Sequence, residues 1–236
     1  MANRKPIIIS ILASAVILVG LGFYDNLRSN NDLEIALDET SEISLDGPLT
    51  AEEQEVHNPI ATNTMNPTAV FTTNKGVIEL ELFTDQMPIT TGNFISLAES
   101  GFYDGTKFHR VIDGFMVQGG DPNSKSDDDS TYGTGGSDNI QDEFVAGELL
   151  TNTRGTIAMA NTGQPNSGSS QFFINLGDNS PLDFDDNRQP ASKHPVFGRV
   201  ISGMEVVDTI GKTEVKPPAN VPVDAIVIES VKIVQN

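Results

Sequence analysis

Five polar side chains stand among large apolar residues in four short segments of this chain: FHRVIDGFMVQGG, GTIAMANTG, SSQFFINL and KHPVFGRV. They are Arg110, Gln118, Asn161, Gln171 and His194. A guanidinium and three amides can hold a polar ligand by hydrogen bonds, and none of them is a nucleophile. Each residue taken alone fits ordinary edge polarity, with the arginine snorkelling from a strand. Taken together in one chain, the five indicate a functional site.

The composition excludes several other kinds of chemistry. The chain has no cysteine, so disulfides, thiolate zinc sites and cysteine nucleophiles are excluded. Its three histidines are far apart in sequence, and neither an HExxH motif nor a Walker loop occurs. With 14 Lys and Arg against 33 Asp and Glu, the formal net charge of the 236 residues is −19, which disfavours nucleic acid as a partner. No cofactor is predicted.

The elements that must position these residues are mainly short strands. AVFTTNKGVIELELF alternates on both sides of Asn74-Lys75-Gly76 and predicts a hairpin. MPITTGNFISLAESG and MEVVDTIGK have helical spacing, with Gly101 as the stop of the first helix. Further strands are predicted in KFHRVI, FMVQGG, TIAMA, QFFINL, PVFGRVI and AIVIESVKIV. Short strands, glycine-rich turns and two helices predict a mainly β fold, a closed barrel rather than a parallel sheet.

The N-terminal part of the chain has a different composition. Residues 1–24 contain Arg4 and Lys5 followed by an uncharged apolar run of 18 residues, Ile7 to Tyr24, close to the ~20 that span a bilayer. We expect a single uncleaved anchor with a cytoplasmic N-terminus and the rest of the chain outside the cytoplasm; the alternative is a cleaved signal peptide and secretion. Residues 25–66 carry ten acidic residues and one basic residue and predict a flexible acidic tether. Residues 67–236 form the predicted globular domain.

The motif FHRVIDGFMVQGGDP, with the order and spacing of the later segments, resembles the cyclophilin family of peptidyl-prolyl cis/trans isomerases over about residues 68 to 236. The resemblance implies an eight-stranded antiparallel β-barrel closed by two α-helices, which fits the strands predicted above. It also implies that proline-containing polypeptides are the clients. Together with the predicted anchor, it predicts that the protein assists folding outside the cytoplasm. The rival hypothesis is a prolyl-peptide binding or chaperone module that uses the same pocket without turnover.

The resemblance assigns a role to each site residue. Arg110 corresponds to the catalytic arginine. The resemblance implies three further parts of the site around Arg110: a pocket for the proline ring, a set of residues that hold the substrate backbone, and a glycine loop (Tyr132–Gly136). The residues concerned are Phe115, Met116, Phe173 and Leu182 for the ring, with His194 at the rim; Gln118, Ala160, Asn161 and Gln171 for the backbone; and Gly133 in the glycine loop.

The chemistry of the reaction explains these residue types. Rotation about a peptide bond meets a barrier of ~18–20 kcal/mol because the nitrogen lone pair is delocalised into the carbonyl. X-Pro bonds populate both isomers but exchange slowly. In the twisted transition state the nitrogen is pyramidal and regains its lone pair, so a guanidinium donor placed there stabilises that state alone. No metal is needed.

The sequence departs from the family pattern in three places. The usual tryptophan before Leu-Asp is Pro181 here and the chain contains no Trp, so sensitivity to cyclosporin-type inhibitors is doubtful. Nine residues, Phe184 to Ser192, separate Asp183 from Lys193, where the family usually has one. The placement of His194 depends on that insertion. One extra residue, Gln164, occurs in ANTGQPN.

Overall fold

The computed structural model describes residues 66–185 and 193–236. The predicted anchor, the predicted tether up to residue 65, and residues 186–192 of the insertion lie outside the described residues. Within the described ranges, no helix has the length and apolar character needed to cross a membrane. The helices are α1 (Pro88–Glu99) and α2 (Met204–Gly211), and the strands are β1 (Thr68–Thr73), β2 (Gly76–Leu82), β3 (Arg110–Ile112), β4 (Met116–Gly119), β5 (Thr156–Met159), β6 (Phe172–Asn175), β7 (Val196–Ser202), β8 (Val215–Lys216), β9 (Val221–Pro222) and β10 (Ile228–Val234).

Eight strands form one curled antiparallel sheet in the order β10-β1-β2-β7-β5-β6-β4-β3. Its edge strands, β3 and β10, share no ladder in the described part of the chain, but the segments before them meet. Lys107 and Val227 form an isolated bridge, and the Phe108 N–H donates to the Ile226 carbonyl at 2.9 Å. The predicted mainly β fold with two helices is confirmed. The predicted closed barrel is confirmed only as a curled sheet with this short contact between its edges. The two-stranded β8–β9 sheet was not predicted.

Strands β3 and β4 divide their side chains between two environments, whereas β5 and β6 are buried at every position. Side chains alternate along a strand, so residues opposite one another in neighbouring strands share a face. Arg110 lies opposite Gln118, and Gln118 lies opposite Phe173. The intervening residues Val111 and Val117 are buried in the core. The arginine is therefore placed among apolar residues because it occupies the outer face of a strand whose inner face packs the core.

The core and the first helix are fixed to each other through aromatic rings. Phe94 of α1 packs against Tyr103 with ring centroids 5.1 Å apart and against Phe71 at 6.0 Å. Glu143 caps the start of α1, because its carboxylate accepts hydrogen bonds from the Ile89 and Thr90 N–H groups at 3.1 and 2.8 Å. The helix ends just before Gly101, whose φ of +72° fits the predicted glycine stop.

Candidate active site

Arg110 is the end of a relay of three side chains. Its Nη1 donates to Gln118 Oε1 at 3.2 Å, and Gln118 Nε2 donates to Gln171 Oε1 at 2.9 Å. Gln171 Nε2 then donates to the carbonyl oxygens of Gly133 and Gly135, at 3.1 and 2.6 Å. Each amide thus has its orientation fixed by a partner on both sides. The guanidinium is exposed, and the relay uses one of its five N–H donors. The relay therefore orients the planar group without saturating it.

The glycine loop, Tyr132–Gly136, is held from below by a carboxylate. Asp121 is fully buried; it accepts a hydrogen bond from the Asn123 N–H at 2.8 Å and a second one from the Gly133 N–H. A Cβ on Gly135 would lie 2.3 Å from Asp121 Oδ1, so this glycine packs directly on the carboxylate. Sequence reasoning missed Asp121. The available signal was its place immediately after the buried strand β4.

His109 is a second buried group under this loop. It is 3 % exposed, and a Cβ on Gly133 would lie 3.8 Å from its Nε2. Neither ring nitrogen has a hydrogen-bond partner among the described residues. Burial lowers the pKa of His109 below its ordinary value, and the nearby Asp121 carboxylate opposes that effect only in part. His109 is therefore a neutral packing group at neutral pH, and sequence reasoning gave it no role.

Two of the four predicted proline-ring residues, Met116 and Phe173, lie on the same face of the sheet as Gln118. Met116 and Phe173, 2 % and 5 % exposed, are diagonal neighbours on β4 and β6, because Gln118 is the residue opposite Phe173. The His194 ring stands edge-on to the Phe173 ring with centroids 5.3 Å apart. Leu182 is 6 % exposed, and its carbonyl accepts from the His194 N–H at 2.9 Å. The structure therefore brings His194 next to Phe173 and Leu182 despite the insertion.

The tautomer of His194 follows from its hydrogen bond. Its Nδ1 lies 3.1 Å from the Met159 carbonyl oxygen, which can only accept, so Nδ1 carries the proton and Nε2 is an acceptor. Burial lowers the pKa of His194 below its ordinary value, while the Met159 carbonyl acts in the opposite direction. The ring is therefore neutral and apolar in character where it covers Phe173.

A groove of about 290 Å³ lies between the glycine loop and the segment that follows β5. None of the residues that line it carries a charge. The Ala160 N–H donates to the Gln171 carbonyl at 3.0 Å. The Asn161 side chain is engaged inside the protein: its Nδ2 donates to the Lys193 carbonyl at 2.7 Å, and its Oδ1 accepts from the Gly163 N–H at 3.0 Å. The structure therefore brings Gly133, Gln118, Gln171, Ala160 and Asn161 to one groove.

Phe115 precedes β4 and is half-buried against the core. Its carbonyl accepts from Asn179 Nδ2 at 2.8 Å, which fixes its backbone near the turn that carries Leu182.

Two carboxylates of the acidic cluster at residues 127–129 form ion pairs. Asp127 lies 3.2 Å from Lys107, and Asp129 lies 3.0 Å from Lys216. Among the described residues no group of three or more His, Asp or Glu side chains could hold a metal ion.

Comparisons with known proteins agree with this geometry. Residues 68–233 match the family described as cyclophilin type peptidyl-prolyl cis-trans isomerase/CLD. The chain is 42% identical over 181 residues to peptidyl-prolyl cis-trans isomerase A of Dickeya dadantii, covering 75% of this chain and 90% of that protein. It is 40% identical over 170 residues to peptidyl-prolyl cis-trans isomerase B of Escherichia coli, covering 69% and 97%. A cyclophilin type isomerase of Cryptosporidium parvum, crystallised in the presence of the dipeptide Ala-Pro, superposes with a TM-score of 0.61 at 31% identity, covering 72% of this chain and 99% of that one.

Proposed function

Because the chain belongs to the cyclophilin family and is a peptidyl-prolyl cis-trans isomerase, we propose that it rotates X-Pro bonds of polypeptide clients with Arg110 as the catalytic residue. The observation that carries the proposal is the relay from the glycine loop through Gln171 and Gln118 to the guanidinium. The relay gives a long and otherwise mobile side chain one direction at the edge of the apolar pocket. Preorganised donors of this kind are the usual source of transition-state stabilisation.

The mechanism needs only binding and one directed donor. The proline ring enters the pocket of Met116, Phe173 and Leu182, where apolar contact holds it in both isomers. The segment before proline lies in the uncharged groove and is the part that rotates. As the bond twists, amide resonance is lost and the prolyl nitrogen becomes pyramidal, with a lone pair that an Arg110 N–H can meet. That contact does not exist in the planar ground state, so it lowers the barrier rather than tightening binding.

The side-chain hydrogen bonds of Asn161 within the protein indicate how this residue would bind the substrate. Its side-chain amide is used on Lys193 and Gly163, so its contact with the substrate falls to its main chain. Strand-like main-chain pairing suits a substrate of variable sequence, because every residue except proline carries the same N–H and C=O groups. The proposed enzyme thus recognises proline by its ring and the preceding segment mainly by its backbone.

The decisive experiment compares Arg110 variants in a protease-coupled isomerisation assay of the fragment from Pro67. Arg110→Ala should lower kcat and kcat/KM together by ~100- to 1000-fold, the usual loss for one preorganised donor. Arg110→Lys should restore little, because an ammonium does not reproduce the planar fork. Phe115→Ala should differ from Arg110→Ala by also weakening the affinity for the peptide. The matched control is Arg199→Ala in β7, whose guanidinium pairs with Glu81 at 2.8 Å. If Arg110→Ala turns over normally, the catalytic assignment is wrong. If the unmodified fragment binds prolyl peptides without turnover, the chain is a binding module instead.

The cellular location is a separate part of the proposal. It is supported by the 18-residue apolar run that follows Arg4 and Lys5, which fits a retained anchor with the isomerase domain outside the cytoplasm. In that location, folding clients would be proteins that have crossed the membrane. A retained anchor predicts that the full chain stays with membranes after a high-salt wash and is released by detergent. A mature protein that begins near Asn26 and is free in the medium would show a cleaved signal peptide instead.

A further inference from the structure

The segment that contains the insertion, Phe184 to Ser192, separates two residues assigned to the proposed proline pocket. Leu182 lies just before it and His194 just after it. Inserted residues at such a position would be expected to loosen both walls, because a long connection constrains its ends weakly. In the structure the ends are nevertheless held together. The His194 N–H donates to the Leu182 carbonyl at 2.9 Å, and the Lys193 ammonium donates to the Phe184 carbonyl.

Asn152 makes contact with both ends of the insertion. It is fully buried, and its Nδ2 donates to Asp183 Oδ1 at 2.8 Å and to the His194 carbonyl at 2.9 Å. Its backbone N–H donates to the same Asp183 oxygen, also at 2.8 Å. One side-chain amide therefore connects the residue before the insertion to a residue after it. Hydrogen bonds to a carboxylate in a buried position are among the stronger ones.

Asn152 is itself fixed from behind. Its Oδ1 accepts from Asn175 Nδ2 at 3.1 Å, and its carbonyl accepts from the Asn179 N–H at 2.7 Å. Asn175 Nδ2 also donates to Thr156 Oγ1 at 2.9 Å, which ties the network to β5 and β6. These contacts determine which way the Asn152 amide points: the oxygen faces a donor and the nitrogen faces two acceptors. The network joins the ends of the insertion to the rigid sheet.

We propose that Asn152 is a positioning residue for the proposed proline pocket. By its hydrogen bonds to Asp183 and His194, Asn152 keeps Leu182 and the His194 ring in place independently of the inserted residues. The proposal rests on the proposed function, because it concerns the pocket that grips the substrate proline. The pocket wall touches the ring in both isomers and in the transition state, so losing its position removes uniform binding. The expected effect is a higher KM and a weaker peptide affinity with kcat nearly unchanged.

The test uses Asp183, since both Asn152 donors converge on a single oxygen of this side chain. Asp183→Asn keeps one oxygen acceptor and should leave KM within about 2-fold of the unmodified enzyme, whereas Asp183→Ala should raise KM and the Kd for a prolyl peptide by about 5-fold or more. Asn152→Ala should act in the same direction. The matched control is Arg154→Ala, which removes a pair with Asp208 at 2.7 Å and a hydrogen bond to the Leu176 carbonyl at 3.1 Å, neither of which involves a residue assigned to the proposed pocket.

A second readout follows the position of the ring itself. Burial holds the pKa of His194 below its ordinary value, so NMR titration of Asp183→Ala should show that pKa moving upward as the ring becomes exposed. The proposal is overturned if Asp183→Ala leaves affinity and the His194 titration unchanged. It is also overturned if Asp183→Asn is as impaired as Asp183→Ala, or if Arg154→Ala raises KM equally. Should the unmodified chain lack turnover, the proposed function fails, while peptide affinity and the His194 titration still decide this proposal.

Discussion

A single added methyl group at Gly135 should separate the glycine loop from the catalytic relay. The Cβ of Gly135→Ala would lie 2.3 Å from Asp121 Oδ1, whereas ordinary contact begins at 3.4 Å. The carboxylate cannot swing aside, because it is fully buried and accepts from the Asn123 and Gly133 N–H groups. The loop must therefore move by about 1 Å instead, since atoms packed this closely have no spare volume.

The size of the effect follows from one hydrogen bond. The Gly135 carbonyl accepts from Gln171 Nε2 at 2.6 Å, so a displacement of about 1 Å stretches this contact to about 3.6 Å, beyond a hydrogen bond. A typical hydrogen bond contributes about 0.5–1.5 kcal/mol, which corresponds to roughly 2- to 12-fold in an equilibrium or a rate. We expect kcat/KM to fall by that factor, because Gln171 then orients Gln118 and Arg110 less well.

Isomerisation kinetics on a short prolyl peptide measure this loss, with Gly92→Ala as the matched control. Gly92 lies in α1, and nothing is within 4 Å of a Cβ built there. The double variant Asp121→Ala/Gly135→Ala supplies the internal check. Removing the carboxylate removes the closest contact of the new Cβ and leaves Asn123 Cγ at 2.9 Å, so the loss in the double variant should be smaller than the sum of the two single losses. Unchanged kcat/KM in Gly135→Ala, or strict additivity in the double variant, would refute the relay as the link between loop and arginine.

Three further outcomes can be measured, the first two on the same fragment and the third on the full chain. Gly92→Ala should raise the free energy of unfolding by about 0.5–1 kcal/mol in urea titrations, because the helix interior gains a better helix former at an exposed position. The native pKa values of His109 and His194 are depressed, so below about pH 6.5 the unfolded chain binds protons that the native state does not. The histidine contribution to the free energy of unfolding should therefore be constant above that pH and fall below it, by at most about 1.4 kcal/mol per pH unit for each histidine. His109→Asn should reduce this slope. With a net charge of −19, the full chain should show kcat/KM for a cationic prolyl peptide that falls with added salt more steeply than for a neutral one.

The sequence was informative wherever a local pattern determines the structure. Short apolar segments between glycine-rich turns predicted the strands that carry Arg110, Gln118 and Phe173, and helical spacing with a glycine stop predicted α1. Such patterns reflect the faces of single elements, which are set by neighbours a few residues away. The set of site residues came from a long motif, and the structure places five of these residues along one groove. Their individual roles stay predictions until the variants are measured.

The residues that the sequence did not reveal act across long separations in the chain. Asp121 holds Gly133 12 residues away, and Asn152 holds His194 42 residues away. No local periodicity predicts which buried polar group finds which partner, because the pairing is decided only when the sheet has formed. The same reason applies to the edges of the sheet, where the contact of Lys107 with Val227 joins two segments that are distant in sequence.

The alternation along β3 and β4 has a practical consequence for preparing the protein. Core residues and residues of the proposed site occupy successive positions of the same strands, so a pairing error of one residue would turn Val117 outward and Gln118 inward. A misregistered molecule would therefore lose its activity at the same moment as its stability. In a refolding mixture, the isomerase activity per mole of protein is then proportional to the fraction of chains with native strand register. Isomerase activity can therefore be used to measure the folding yield.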